Sequence, residues 1–278
     1  MTDGGTVREH YASEGITERV LTALRNANGP DVPITPETLA PIDHFHWKGV
    51  IATEELVAEL QPKASGNLLD IGCGIGGPAR WIAAKYGCHV TGVDLTAEFC
   101  AAARELNRLT GLADRVEILH GDALSLPVPN NSFDHAYSQA ALMNISDKRG
   151  VFREAFRVLR PGGSLALSLA GAGSAGEPCY PLPWATTTVT SFLATLDEIR
   201  GDLLAAGFQI VFVRDISAAL AEALRCLVHL LRHHHQRACQ GTDTPRGDHA
   251  RPPGGRSDRR SQERPARPLR PGDLLPET

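Results

Sequence analysis

A chain of 278 residues, 42% hydrophobic and 22% charged, is long enough for one large domain with its own core, or at most two. Its net charge of −4 conceals an asymmetry: from Arg225 onward eleven arginines face six acids, +5, which leaves the remainder at −9. An acidic body offers no electrostatic footprint for nucleic acid, and no apolar run reaches membrane-spanning length, so neither is an expected partner.

In chain order, Val7 to Arg25 reads as two short helices broken at Ser13-Glu14-Gly15, with Val20, Leu21 and Leu24 as an apolar stripe. The opening Met1-Thr2-Asp3-Gly4-Gly5 lacks the basic and apolar regions of a secretory leader, so the cytoplasm is the expected location. Asn28 to Pro33 is a loop by its turn residues, and Thr35-Pro36 starts another short helix with a Thr cap and Pro in the first turn. Asp43-His44-Phe45-His46-Trp47-Lys48-Gly49 is denser in polar and aromatic residues than a connector needs. His46 there suits a base or an orienting group, since histidine titrates near neutral pH; capping or packing a helix entrance is the alternative. Val50 to Leu60 continues as an amphipathic helix.

Leu68 to Pro78, LLDIGCGIGGP, is an apolar run ending in an acid, then a glycine cluster that opens a helix. A strand, a tight turn and a helix N-terminus make the geometry that holds the polar end of a nucleotide-like ligand. Gly72, Gly74 and Gly77 satisfy G-x-G-x-x-G, which by itself equally suggests a dinucleotide site. Asp70 separates the two: its carboxylate would repel a pyrophosphate but suits a ligand presenting an ammonium, as S-adenosylmethionine (SAM) does. Beyond it, Pro78 to Tyr86 is a helix, Cys88 to Val93 a strand, and Thr96 to Thr110 a helix stopped by Gly111. Val116 to Leu119 and Phe133 to Ser138 are further strands, and Asp147 to Leu159 a helix. Ser164 to Leu169 is a fifth strand, Phe192 to Ala206 a helix, Phe208 to Val213 a sixth strand, and Ser217 caps a last helix to about Arg232. The six cysteines contain no C-x-x-C pair, so no metal site is expected, and buried free thiols remain.

With these stretches in order, the chain from about Asp43 to about Ser217 resembles the class I SAM-dependent methyltransferases. Asp70-x-Gly72-x-Gly74-x-Gly76 is similar to their first motif. Val90-Thr91-Gly92-Val93-Asp94, Gly121-Asp122-Ala123, Asn131-Ser132-Phe133-Asp134 and Leu159-Arg160-Pro161-Gly162-Gly163 follow at the family's spacing. The resemblance implies an α/β, Rossmann-like, doubly wound and mainly parallel sheet with helices on both faces. It also implies SAM as cofactor and a small-molecule methyl acceptor as partner. Asp94, with Leu95 after it, would take the ribose hydroxyls, Asp122 and Ala123 the adenine edge, and Ser138 would border the crevice. Residues 1–60 would form a helical lid carrying Tyr11, and residues 61–232 the SAM-binding domain. Gln139 and Asn144 lie where the transferred methyl should be; amides hydrogen-bond but take no proton at neutral pH, so they would orient the acceptor. With His46 the best base on offer, an amine or an already acidic acceptor is favoured over one that needs strong activation. The Gly- and Pro-rich insertion Ala170 to Ala185, with Tyr180 and Trp184, would line the acceptor pocket.

From His233 the apolar periodicity vanishes and Arg, Pro, Gly and His dominate, so residues 233–278 read as a disordered basic tail. The family's closing seventh strand, antiparallel to the rest, has no candidate here; Leu269 to Leu275 is broken by Pro271 and Gly272. A reading frame shifted between about Cys226 and Gly241 would produce that loss, and a natural tail is the other explanation. Two competing functions share the glycine loop: a nicotinamide-dependent oxidoreductase, which Asp70 argues against, and a SAM-binding protein impaired in catalysis by its altered C-terminus.

Overall fold

Residues 15–174, 176–218 and 221 are described by the computed structural model. The chain divides into two compact units, Met1–Val213 and Arg214–Thr278, and the sheet lies wholly within the first. Tyr11, most of the helix expected from Ser217 to Arg232 and the whole tail from His233 fall outside the described residues.

Three helices come first. α1 (Ile16–Asn28) buries Ile16, Val20, Leu21 and Leu24, the stripe its sequence spacing predicts. α2 (Pro36–Asp43) starts at a capping box in which Thr35 and Thr38 satisfy each other's backbone N–H, with Pro36 in the first turn, where no N–H is needed. α3 (Gly49–Ala58) follows. Then strands and helices alternate: β1 (Asn67–Ile71), α4 (Gly77–Tyr86), β2 (His89–Asp94), α5 (Ala97–Leu109), β3 (Val116–His120), β4 (Phe133–Gln139), α6 (Lys148–Val158), β5 (Leu159–Ser168) and α7 (Leu196–Ala206).

All four strand pairings are parallel, in the order β3-β2-β1-β4-β5. Neighbouring residues of β1 feed opposite faces, as the two-residue period of a strand requires. Leu68 joins Ala79, Ile82, Cys100 and Ala103 of α4 and α5, whereas Leu69 joins Phe152, Ala155 and Val158 of α6. α1 and Leu39 of α2 form a third cluster with Ala102 and Leu106 of α5. The strand order reverses between β1 and β4, and in open α/β sheets the crevice at such a switch point, beyond the carboxyl ends of the strands, is where ligands bind.

Two boundaries move and one element is absent. α7 begins at Leu196 rather than Phe192, because Thr195 and Glu198 form a second capping box. β5 begins at Leu159, five residues earlier than the composition suggests, with a register irregularity against Phe133 and His135. Phe208–Val213, expected as a sixth strand, is not one; among the described residues the sheet has five strands and no antiparallel closing strand. The segment has strand composition, but a strand exists only as half of a ladder, and Val211 is left 92% exposed beside exposed Phe212 and Val213.

Candidate active site

The glycine turn leaves β1 and is held against the end of β2. Gly72 and Cys73 donate their N–H groups to Val93 O at 2.8 and 3.1 Å, and Gly74 N–H donates to Asp94 Oδ2 at 2.8 Å. Asp94 Oδ1 accepts from Thr96 N–H at 2.9 Å. Gly72 and Gly74 have φ of 81° and 54°, the left-handed region where a side chain is strained. A Cβ on Gly72 would stand 2.3 Å from Ala141 Cβ, so the turn adjoins the chain just past β4. One on Gly74 would meet nothing within 4 Å: here the backbone opens onto free space beside a carboxylate. Burial pushes the Asp94 carboxyl up, against the pull of the Thr96 and Gly74 N–H groups.

Asp70 is 2% exposed, and its Oδ2 accepts from the Tyr137 hydroxyl at 2.8 Å. Burial pushes its pKa to about 7; the Tyr137 hydrogen bond pulls the other way, and the neighbouring Asp94 adds to the rise. Leu95 O is met by His120 Nε2 at 3.0 Å, which fixes the turn after Asp94. Asp122 is exposed, and its Oδ1 caps its own turn through Leu124 N–H at 2.9 Å; Ala123 beside it is half-buried. Ser138 is buried and donates to Ile71 O at 2.8 Å, tying the ends of β1 and β4 together.

Of the three residues expected to face an acceptor, the structure gathers two. Gln139 Oε1 accepts from the Thr53 hydroxyl at 3.0 Å, Gln139 Nε2 lies 3.4 Å from His46 Nδ1, and His46 Nε2 lies 3.4 Å from Thr53 Oγ1. Burial pushes the His46 imidazole below its ordinary value, the hydrogen bond with Trp47 O only partly offsetting this, so the ring is neutral at pH 7. Asn144 is not brought into this group. Its Nδ2 donates to Trp184 O at 2.9 Å and Thr190 O at 2.7 Å, which brackets the insertion after β5 to the short turn Leu142–Asn144. Lys148 braces the same insertion, donating to Ile145 O at 2.8 Å and to Phe192 O. Trp184 packs edge-on against Trp47 at 6.4 Å, which links the insertion to the loop carrying His46.

Three features went unread in the sequence. Thr53 is an unremarked residue within a helix. Ala140, at φ 56°, holds a left-handed conformation immediately after Gln139. Asp43 and Arg80 form a buried ion pair, Nη2 to Oδ2 2.8 Å, with both side chains at most 1% exposed; the one available signal was an arginine among the apolar positions of α4.

Residues 69–167 match the family model of the methyltransferase domain. Over that span the chain is similar to methyltransferases. Methyltransferase GfsG of Streptomyces halstedii is 39% identical over 127 residues, and this alignment spans 46% of either protein. The chain thus covers about half the length of that relative, and 33% of 24-methylenesterol C-methyltransferase 2 of Oryza sativa. Among solved structures, Haemonchus contortus phosphoethanolamine N-methyltransferase 2 in complex with SAM superposes with a TM-score of 0.61 at 25% identity, over 81% of this chain and 52% of that one. The [4+2]-cyclase SpnF gives a TM-score of 0.56 at 29% identity, over 73% and 74%. The Haemonchus structure holds SAM, and the open space at Gly74 beside Asp94 would admit such a group.

Proposed function

We propose that this protein transfers the methyl group of SAM to a small-molecule acceptor, an amine or an already acidic group, in the cytoplasm. The observation that carries the reading is the contact between two halves of a site. The glycine turn adjoins Ala141, and two residues back along the chain Gln139 gathers Thr53 and His46. Donor cradle and acceptor-orienting groups thus share one crevice.

In this reading Asp94 and Leu95 hold the ribose, Asp122 and Ala123 the adenine edge, and Asp70 with Gly72, Gly74 and Gly76 the amino-acid end. Ser138 shapes the crevice, Tyr11 and the rest of residues 1–60 supply the lid, and Asn144 keeps the insertion in place. When bound, the cofactor supplies an electrophilic methyl on a sulfonium, so the protein's main task is alignment. Holding the acceptor in line lowers the barrier by about 7–11 kcal/mol relative to free encounter. His46 and Gln139 orient the acceptor, and His46, being neutral, can also take a proton.

A second reading is a SAM-binding protein with impaired catalysis. It is favoured by the exposed strand-like segment Val211–Val213 and by the likeness to a structure described as a cyclase. Calorimetric titration of S-adenosylhomocysteine into the full-length protein tests the cofactor site. Saturable binding is expected, weakened about 10- to 100-fold by Asp94→Ala through loss of hydrogen bonds to a charged group. A cooperatively folded protein that gives no heat refutes both readings. Binding without release of labelled methyl to any acceptor in a broad panel selects the second.

A further inference from the structure

Beside His46 lies an imidazole that the sequence left aside. His44 ends α2, and its Nδ1 sits 2.8 Å from Asp43 Oδ1, with both side chains 1% exposed. Asp43 Oδ2 is taken by Arg80 Nη2 at 2.8 Å, and Arg80 Nη1 is in turn anchored on Asn107 Oδ1 at 3.0 Å. Burial pushes the Asp43 carboxyl up, but the His44 hydrogen bond and the Arg80 guanidinium outweigh it and hold it below its ordinary value.

An ionised carboxylate only accepts hydrogen bonds, so the His44 hydrogen resides on Nδ1, and in the neutral ring Nε2 presents a bare lone pair. That Nε2 is buried and has no partner among the described residues. Arg80 Nε is the other buried atom of this network without a partner among the described residues, but of the two residues only His44 borders a cleft, so a ligand can answer its orphaned acceptor. The ring lines a cleft of about 530 Å³ between α2 and α3, with Glu37, Pro41, His46, Val50 and Trp81. The His46 ring stands edge-on at 5.5 Å and that of Trp81 at 6.4 Å, and through His46 the cleft reaches Gln139. The titratable or charged groups around His44 are therefore Asp43, Arg80, His46 and, across the cleft, Glu37.

We propose that His44 Nε2 is the proton acceptor of the reaction, oriented by Asp43, and that the cleft between α2 and α3 seats the methyl acceptor. This rests on the methyl-transfer reading above and narrows its acceptor to a protonated amine or an acidic hydroxyl, groups that must shed a proton to react. The acceptor's X–H bond breaks and its proton passes to Nε2. The electron pair left on X forms the new bond to the methyl carbon as the carbon–sulfur bond yields its pair to sulfur. The imidazolium, facing the Asp43 carboxylate, then returns the proton to solvent. Asp43 is a positioning residue in this scheme, and Arg80 positions Asp43.

The test uses the full-length protein labelled with ¹⁵N at histidine, with S-adenosylhomocysteine bound. Long-range ¹H–¹⁵N spectra from about pH 6 to 9 read each ring's tautomer. The Nδ1–H form is expected for His44, with an Nε2 resonance that moves when dimethylamine or phenol is added as probe. An Nε2–H ring, or an Nε2 that neither probe moves, overturns the proposal. His44→Asn keeps an amide donor where Nδ1 stood and removes Nε2. Unchanged binding of S-adenosylhomocysteine is expected, with methyl transfer to the probes falling about 10²–10⁴-fold and the rise of rate on the acidic limb of the pH profile lost. Transfer in that variant equal to the parent's, or no transfer to either probe by a parent that binds S-adenosylhomocysteine, also overturns it. A parent that does not bind S-adenosylhomocysteine defeats the methyl-transfer reading itself.

Discussion

The two sides of the sheet are held together by different means. On the β1-β2-β3 side, loop backbone answers backbone: Gly72 and Cys73 bond Val93 O, and Gly121 N–H bonds Asp94 O at 3.0 Å, with the Arg104 side chain adding two nitrogens on Ile118 O. On the β4-β5 side single side chains reach far along the chain. Asn144 grips Trp184 and Thr190, Lys148 grips Phe192, and beyond Gly207 the chain leaves Val211, Phe212 and Val213 exposed. The first arrangement fixes a cradle whose shape each neighbour reinforces. The second holds a long insertion by these side chains together with backbone bonds from Phe192 N–H to Met143 O at 2.7 Å and from Ala172 N–H to Ala194 O at 2.8 Å, contacts separate from those of the cradle. In the proposed reading the first side is the cofactor cradle and the second the acceptor wall, each held by its own kind of bonding.

That contrast can be broken. Arg80→Met should have the largest effect, because it strands the Asp43 carboxylate in the interior; a loss of about 3–5 kcal/mol in urea denaturation is expected. Adding Asp43→Asn should recover part of it. Gly72→Ala follows, at about 3 kcal/mol, since the new methyl meets Ala141 at 2.3 Å and φ is 81°. S-adenosylhomocysteine binding should weaken with it. Asn144→Ala orphans the two carbonyls it serves and should remove about 2 kcal/mol while cofactor binding stays within twofold. A matching loss of cofactor affinity would show that the two sides are not separable.

Asp70 gives a smaller effect with a defined sign. Its carboxyl sits at about 7 in the fold against an ordinary 3.8, so the folded chain holds the extra proton across that interval. Its contribution to stability is therefore greatest at low pH, declines as pH rises through the interval, and is gone above 7. With Asp70 serving an ammonium as proposed, S-adenosylhomocysteine affinity should rise about tenfold from pH 6 to 8, and Asp70→Asn should flatten the curve. Val211→Ser should move stability by less than about 0.5 kcal/mol, as the side chain is already in solvent. A large loss there would mean that the segment is covered in solution.

The elements legible in the sequence were those whose cause is local. The continuous buried run of β1, the caps at Thr35 and Gly207, and the glycine turn all follow from a few adjacent residues. His46 and Gln139 were each recognisable by type, yet what joins them is Thr53, a partner 86 residues from Gln139 in the chain. Asn144 was visible as a polar group near the crevice, while its bracing role depends on carbonyls 40 and 46 residues further on. Phe208–Val213 failed for a related reason: its composition is that of a strand, but pairing is a property of two segments. His44 was passed over because nothing in the order of residues says which nitrogen a carboxylate will occupy.

The hydrogen bond from Gly74 N–H to Asp94 Oδ2 has a consequence for throughput. The bond shapes the loop from within the protein, so little of its ordering depends on a ligand. In the proposed reaction, spent and fresh cofactor differ by one methyl and one positive charge, and both meet the same rigid cradle. Such a cradle discriminates weakly between them. Accumulated S-adenosylhomocysteine then competes with the next donor, and turnover in a cell follows the ratio of the two and not the supply of donor alone.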